Sequence, residues 1–434
     1  MIADTLLEGD GWHRLHPLSP LVRAGRTLFA VAAVFVGTLA PGARGGPRGL
    51  GGHLAVAGLL LVAGVVSWLV TRWRVDGGDL RIETGLLRRK SQRFPLTQVQ
   101  AVDIVRPALA RAFGLAELRL RMGGSTGGSG RLAYLGAPQA NLVRAQLLAL
   151  SRGLPDHTPE PSERVIVSVP VPRLTASILL SRPAIVAVVV ATGLAISNVL
   201  APRATLPLIS SSGATALGVA TMLWRRFNSG YRLTVADATD GLRLRSGLLE
   251  TTAETIPSGR IQAVRMIEPL LWRPLGWCRL EVDVAGRQHT SGENSAESRQ
   301  LRAVLPVGTL DEATALLDRI LPERATDRLR PPTRARLKSP LRYHNLGWGR
   351  NDSSVVTTTG RVARVTAWVP MAKVQSLRLV QGPLQRGLSL STIYLDTAGR
   401  SVHAALRDRD ATEADDILFD LTALCRDARR GRVS

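Results

Sequence analysis

Lysine is almost missing from this basic chain. Lys90, Lys338 and Lys373 are the only three, yet Lys+Arg total 56 against 34 Asp+Glu, for a net charge of +22 over 434 residues. Arginine therefore carries the charge, as a GC-rich coding bias or a surface facing anionic lipid would produce. A charge of this size raises nucleic acid as a partner. No helix-turn-helix, zinc-finger or RNP motif accompanies it, so nucleic acid is not expected. Cysteine is as scarce: Cys278 and Cys425 both sit within apolar periods, which argues against a disulfide framework and predicts two buried thiols. Aromatics make up 4% of the chain, so its 45% hydrophobic content rests on Ala, Val and Leu.

Catalytic signatures are missing too. There is no Gly-x-Ser-x-Gly, His-Glu-x-x-His or Cys-x-x-Cys. The seven histidines are scattered, and His13 with His16 lacks a third ligand nearby, which predicts a surface pair and no metal. The Gly123–Gly130 segment lacks the Lys-Ser/Thr and the helix of a phosphate cradle. Glu117, Glu254, Glu281 and Asp283 fall in strand-like patterns and are expected to face solvent. The expectation is no enzyme, no cofactor and no metal.

What the chain does contain is a threefold internal repeat. Gly85, Gly247 and Gly360 are each followed by Pro at +10 (Pro95, Pro257, Pro370), Gln at +15 (Gln100, Gln262, Gln375) and Arg at +26 (Arg111, Arg273, Arg386). Four positions at one spacing in three places mark a repeated module. Thr/Ser-Gly reads as a tight turn, and Pro as a strand end that needs no amide. Alternation in Val99–Ile104 and Leu118–Arg121 reads as strand. Each copy closes with a helical pattern, at 141–148, 310–317 and 413–421, the last preceded by a helix-start signal at Asp410–Glu413. Several strands closed by one C-terminal helix outline a pleckstrin-homology-like (PH-like) barrel.

Those residues, Gly85-Leu86, Pro95-Leu96, Val99-Gln100-Ala101-Val102, Arg111 and Gly114-Leu115, resemble the bacterial PH-like family of membrane proteins of the YdbS/YdbT type. The three copies and the opening Trp12–Leu21 are similar to its longer, three-domain members. The third copy departs from the pattern, with Ser389 for the second Gly and Arg361-Val362 for Leu-Leu. The resemblance implies PH-like domains, an envelope-associated role without catalysis, and a smaller single-domain relative as a protein partner.

Four apolar runs frame the modules: 27–43, 54–70, 183–201 and 206–224. Each approaches the ~20 residues that a spanning helix needs, and none carries Asp, Glu, Lys, Arg or His. They predict an α+β membrane protein with two transmembrane helical hairpins and three PH-like β-barrel domains, each closed by a C-terminal helix. The expected layout is an N-terminal segment 1–26, hairpin 27–72, domain 73–153, linker 154–182, hairpin 183–226, domain 227–322, linker 323–340 and domain 341–434. No cleaved signal peptide is expected. Arginines crowd the hairpin flanks (Arg14, Arg23, Arg26, Arg72, Arg74, Arg173, Arg182, Arg225, Arg226, Arg232), against Arg44, Arg48 and Arg203 in the loops. This predicts cytoplasmic termini and domains.

The functional expectation is a multi-pass scaffold presenting three modules at the cytoplasmic face of the cell membrane to a protein partner or lipid, with homo-oligomers as an option. A lipid-handling or transport role for the hairpins is the alternative. Arg88, Arg89, Lys90 and Arg93 are candidate headgroup or partner contacts, or charges guarding an edge strand. The repeated Gln and Arg read either as a polar site on each module that binds a lipid headgroup or partner segment or, preferred, as structural residues of a turn and a strand end.

Overall fold

The computed structural model describes residues 11–22, 58–59, 62, 65–76, 78–85, 89–122, 130–151, 153, 163–200, 218–239, 241–285, 302–399 and 401–431. The chain divides into two compact units, Met1–Ser162 with Leu249–Thr255, and Glu163–Leu248 with Ile256–Ser434.

In the first unit, β1 (His13–Arg14), β2 (Arg72–Asp76), β3 (Asp79–Thr84) and β4 (Lys90–Pro95) form an antiparallel sheet in that order. After a 3-10 turn come β5 (Val99–Arg106), α1 (Ala108–Ala112), β6 (Leu115–Met122), β7 (Gly130–Gly136) and α2 (Ala137–Ser151). Trp73, Leu80, Phe94, Val102, Leu118, Leu120 and Leu147 share one core, so both sheets and the helix bury their apolar faces together.

The second unit opens with β8 (Arg164–Ser168), α3 (Val171–Leu179) and α4 (Arg182–Leu200), and continues through helical residues 218–230. Next come β9 (Thr234–Ala238), β10 (Gly241–Ser246), then β11 (Thr251–Ile256), which through Thr255 belongs to the first unit, and β12 (Ile261–Glu268), β13 (Trp277–Val284), β14 (Arg302–Thr309) and α5 (Leu310–Ile320). The third copy holds α6 (Ala335–Lys338), β15 (Gly347–Arg350), β16 (Ser354–Thr359), β17 (Arg364–Pro370), β18 (Val374–Val380), α7 (Pro383–Gly387), β19 (Leu390–Thr397), β20 (Ala404–Asp410) and α8 (Ala411–Arg430). Thr309 and Glu312 cap α5 reciprocally: the Glu312 amide donates to Thr309 Oγ1 at 3.2 Å and the Thr309 amide to Glu312 Oε2 at 2.8 Å. Asp410 caps α8 by accepting from the Thr412 amide at 3.0 Å. Ala414, Ile417, Leu421 and Cys425 line the buried side of that helix.

The repeat is one backbone conformation used three times. Gly85, Gly247 and Gly360 have φ of 99°, 121° and 134°, values that L side chains avoid. Pro95, Pro257 and Pro370, with φ of −60°, −62° and −62°, each introduce a three-residue 3-10 turn.

The repeats also exchange strands. β11, from the second copy, is not confined to its own repeat: it pairs antiparallel with β5 of the first, Thr251 opposite Arg106, Thr252 opposite Val105 and Ala253 opposite Ile104. β17 of the third copy pairs with β12 of the second, Val365 opposite Ile267, Thr366 opposite Met266 and Trp368 opposite Val264. The two pairings share one register. The residue four before the repeated Pro (Ala253, Thr366) lies opposite the residue four after the repeated Gln (Ile104, Met266).

Among the described residues the two predicted transmembrane hairpins are not shown. Among the described residues no single helix is long and apolar enough to cross a membrane; α3 with residues Arg182–Gly193 could do so only as a pair bent by 54°. The chain is instead β-rich, built on several antiparallel sheets. Apolarity of the 183–201 run misled because its neighbour α3 is committed elsewhere. Leu174 and Ser177 are buried, and Arg173 pairs with Glu312 at 2.6 Å. Most of the run 27–72 and residues 201–217 lie outside the described residues.

Gly360→Ala should lower stability by about 3 kcal/mol or more, because its Cβ would fall 1.7 Å from the Ala363 carbonyl oxygen at a φ open only to glycine. Gly276→Ala, with φ +64° and open space around the Cβ, should cost about 1 kcal/mol. Urea unfolding of the two variants checks the difference.

Candidate functional site

The repeated polar residues occupy equivalent structural positions. The ladder slips between Val99 and Ala101, between Ile261 and Ala263, and between Val374 and Ser376, so Gln100, Gln262 and Gln375 each sit at a β-bulge. Gln262 is buried and donates from Nε2 to the Arg260 carbonyl at 3.1 Å, whereas Gln375 is exposed. The backbone carbonyls of Arg111, Arg273 and Arg386 accept from the amides of Gly114, Gly276 and Ser389 at 3.1, 3.0 and 3.1 Å. Those three residues are left-handed, with φ of 67°, 64° and 51°. Their own carbonyls accept from the first residue of each closing helix, Ala137, Leu310 and Ala411. Ser389 thus keeps the glycine conformation. Lys90 and Arg93 are exposed on β4, Arg89 is exposed just before it, and Arg88 lies outside the described residues.

The four carboxylates expected in solvent are buried, a correction with a clear cause: each has a partner. Glu117 pairs with Arg119 at 3.1 Å and Glu281 with Arg265 at 2.5 Å. Asp283 accepts from the Ser401 and Val402 amides, both at 2.9 Å. Glu254 shares a guanidinium with Asp103: Arg121 Nη2 lies 2.6 Å from each. Strand alternation alone cannot tell a solvent face from one covered by a neighbouring repeat.

That last trio forms the electrostatic centre of the β5–β11 joint. Burial drives the Asp103 carboxyl up to about 6; Arg121 opposes the rise and Glu254 adds to it. The two carboxylates in turn hold the Arg121 guanidinium firmly protonated against its own burial. From α2, buried Arg144 donates to the Val102 carbonyl at 3.0 Å and to Thr255 Oγ1 at 3.3 Å, tying helix, β5 and β11 together.

A separate cavity of about 80 Å³ lies in the second unit, between α3, helical residues 218–230, and strands β13 and β14. Arg226, Arg279 and Arg302 line it with Ser181 and Trp272. Trp272 Nε1 and Ser181 Oγ are buried there and have no hydrogen-bond partner among the described residues. Arg279 leans on Glu281 at 2.7 Å, and that carboxylate is already engaged by Arg265. Positive charge and unused donors together define a site for an anion or a strong acceptor. None of its arginines was singled out from sequence as a ligand contact, because they belong to separate stretches. The signal available in sequence was Trp272 beside the repeated Arg273.

Among the described residues no group of His, Cys, Asp or Glu could hold a metal. Cys278 and Cys425 are free and buried, and burial pushes the Cys278 thiol up to about 12.

The model of the bacterial PH domain family matches residues 20–151, 168–324 and 333–422. With three matches across most of its length, this chain belongs to that family. No curated protein and no solved structure matches it. PH-like domains are generally binding modules without catalysis, which is the class of protein this fold defines.

Asp103 titration predicts a pH dependence. Its folded pKa is raised, so between about pH 4 and pH 6 the folded state binds more protons than the unfolded chain, and this group's contribution falls as pH rises. Asp103→Asn should remove that fall, on the order of 2–3 kcal/mol across the window. Urea midpoints of both chains at pH 4, 5, 6 and 7 provide the measurement.

Proposed function

We propose that this chain is a non-enzymatic scaffold at the cytoplasmic face of the cell membrane, whose second PH-like repeat binds an anionic lipid headgroup. The observation that carries the reading is the Arg226–Arg279–Arg302 cavity with the unpaired donors of Trp272 and Ser181. An anion there gains several charge-assisted hydrogen bonds at once. Helix α4, next along the chain from α3, is apolar and exposed: Val188 is 64% exposed and Val199 80%. Extended apolar exposure marks a membrane or protein contact. The net charge of +22 favours an anionic surface. The other repeats then serve to position protein partners.

Lipid handling as a transport function is the weaker reading. A cavity of about 80 Å³ admits a phosphate-sized group, and lies well below the ~300–1,000 Å³ of pockets that enclose larger ligands.

Tryptophan fluorescence of the purified chain, titrated with phosphatidylglycerol in mixed detergent micelles, tests the proposal. Binding should be at least about tenfold weaker for Arg279→Gln/Arg302→Gln and absent for phosphatidylcholine. Equal binding by the double variant, or by the neutral lipid, would contradict it.

A further inference from the structure

The strand-exchange pattern leaves one strand unused at each end of the array. β5 accepts β11 and β12 accepts β17, in a common register. The corresponding acceptor of the third repeat, β18, is an edge strand: it pairs with β19 and, among the described residues, with nothing on its other side. The corresponding donor of the first repeat, β4, is also an edge; among the described residues it pairs only with β3.

Burial separates used from unused strands. On the acceptors, Ile104, Val105 and Met266 are 9% exposed or less, whereas Leu379 and Val380 on β18 are 38% and 42% exposed. On the donors, Glu254 and Thr255 of β11 and Thr366, Ala367 and Trp368 of β17 are all buried. Their counterparts on β4, Ser91, Gln92 and Arg93, are exposed, as is Lys90 before them. An open strand edge carrying leucine and valine is a template for another strand, and among the described residues the donor of this type left over is β4.

We propose that β18 receives β4 of a second copy of this chain, so that copies join head to tail through a third instance of the same pairing. The register follows from the other two. Ser91 of one copy lies opposite Leu379 of the next, Lys90 opposite Val380, Gln92 opposite Arg378 and Arg93 opposite Leu377. Arg378 is already paired with Asp396 at 2.6 Å, and the neutral Gln92 opposite it adds no charge to that pair. Donor and acceptor are different surfaces, so the contact is heterologous and gives a ring or an open row of copies. The proposal does not depend on what fills the arginine cavity.

Two differently tagged full chains in mild detergent, one Ser91→Cys and one Leu379→Cys, are mixed and oxidised. Both substitutions lie on exposed strand positions, and native Cys278 and Cys425 are buried. The expected result is a mixed-tag disulfide dimer, formed about ten times more than between Ser91→Cys and Ser376→Cys, which is out of register. Mass measurement of the unsubstituted chain should show assemblies that grow with concentration. Equal cross-linking in both mixtures, a cross-link confined to pairs of Leu379→Cys chains, or a monomer at every concentration would overturn the proposal.

Discussion

The antiparallel pairing of a strand from one repeat with the sheet of the repeat before it is the constraint on which the rest depends. A PH-like module alone would end its second sheet in an open edge with unpaired amides and carbonyls. Here that edge is closed twice by the following repeat, and the closure sets which charges meet. Arg121 holds Asp103 and Glu254 together only because β11 lies beside β5. Glu268 meets Arg364 at 3.6 Å only because β17 lies beside β12. Cores follow the same rule: Ala253 packs on the first repeat's core, and Trp368 joins that of the second.

The Asp103–Arg121–Glu254 trio stores the cost of burying two carboxylates beside one guanidinium. The arginine cavity lies in the unit that contains the β12–β17 exchange.

The repeat itself was legible in the sequence because its marks are backbone demands. Glycine at 85, 247 and 360 answers a positive φ, and proline at 95, 257 and 370 starts a 3-10 turn. The glutamine offset marks a bulge. Ser389 breaks the letter of the pattern and keeps its conformation, which composition alone would not reveal. Strand exchange was not legible: Thr251–Ile256 and Arg364–Pro370 carry no residue that names a partner strand. Burial of Glu254 and Asp283 was missed for the same reason. The apolar run 183–201 suggested a membrane helix, but apolarity does not disclose that the preceding α3 is pinned to the second repeat through Arg173 and Glu312. The cavity escaped because Ser181, Arg226, Trp272 and Arg302 are brought together only by folding.

Amide hydrogen exchange on the full chain, at concentrations low enough for single copies, tests the exchange of strands most directly. The account predicts slow exchange along both edges of β5 and β12, and fast exchange on the outer edge of β18. Equally fast exchange of outward amides in all three strands would contradict it.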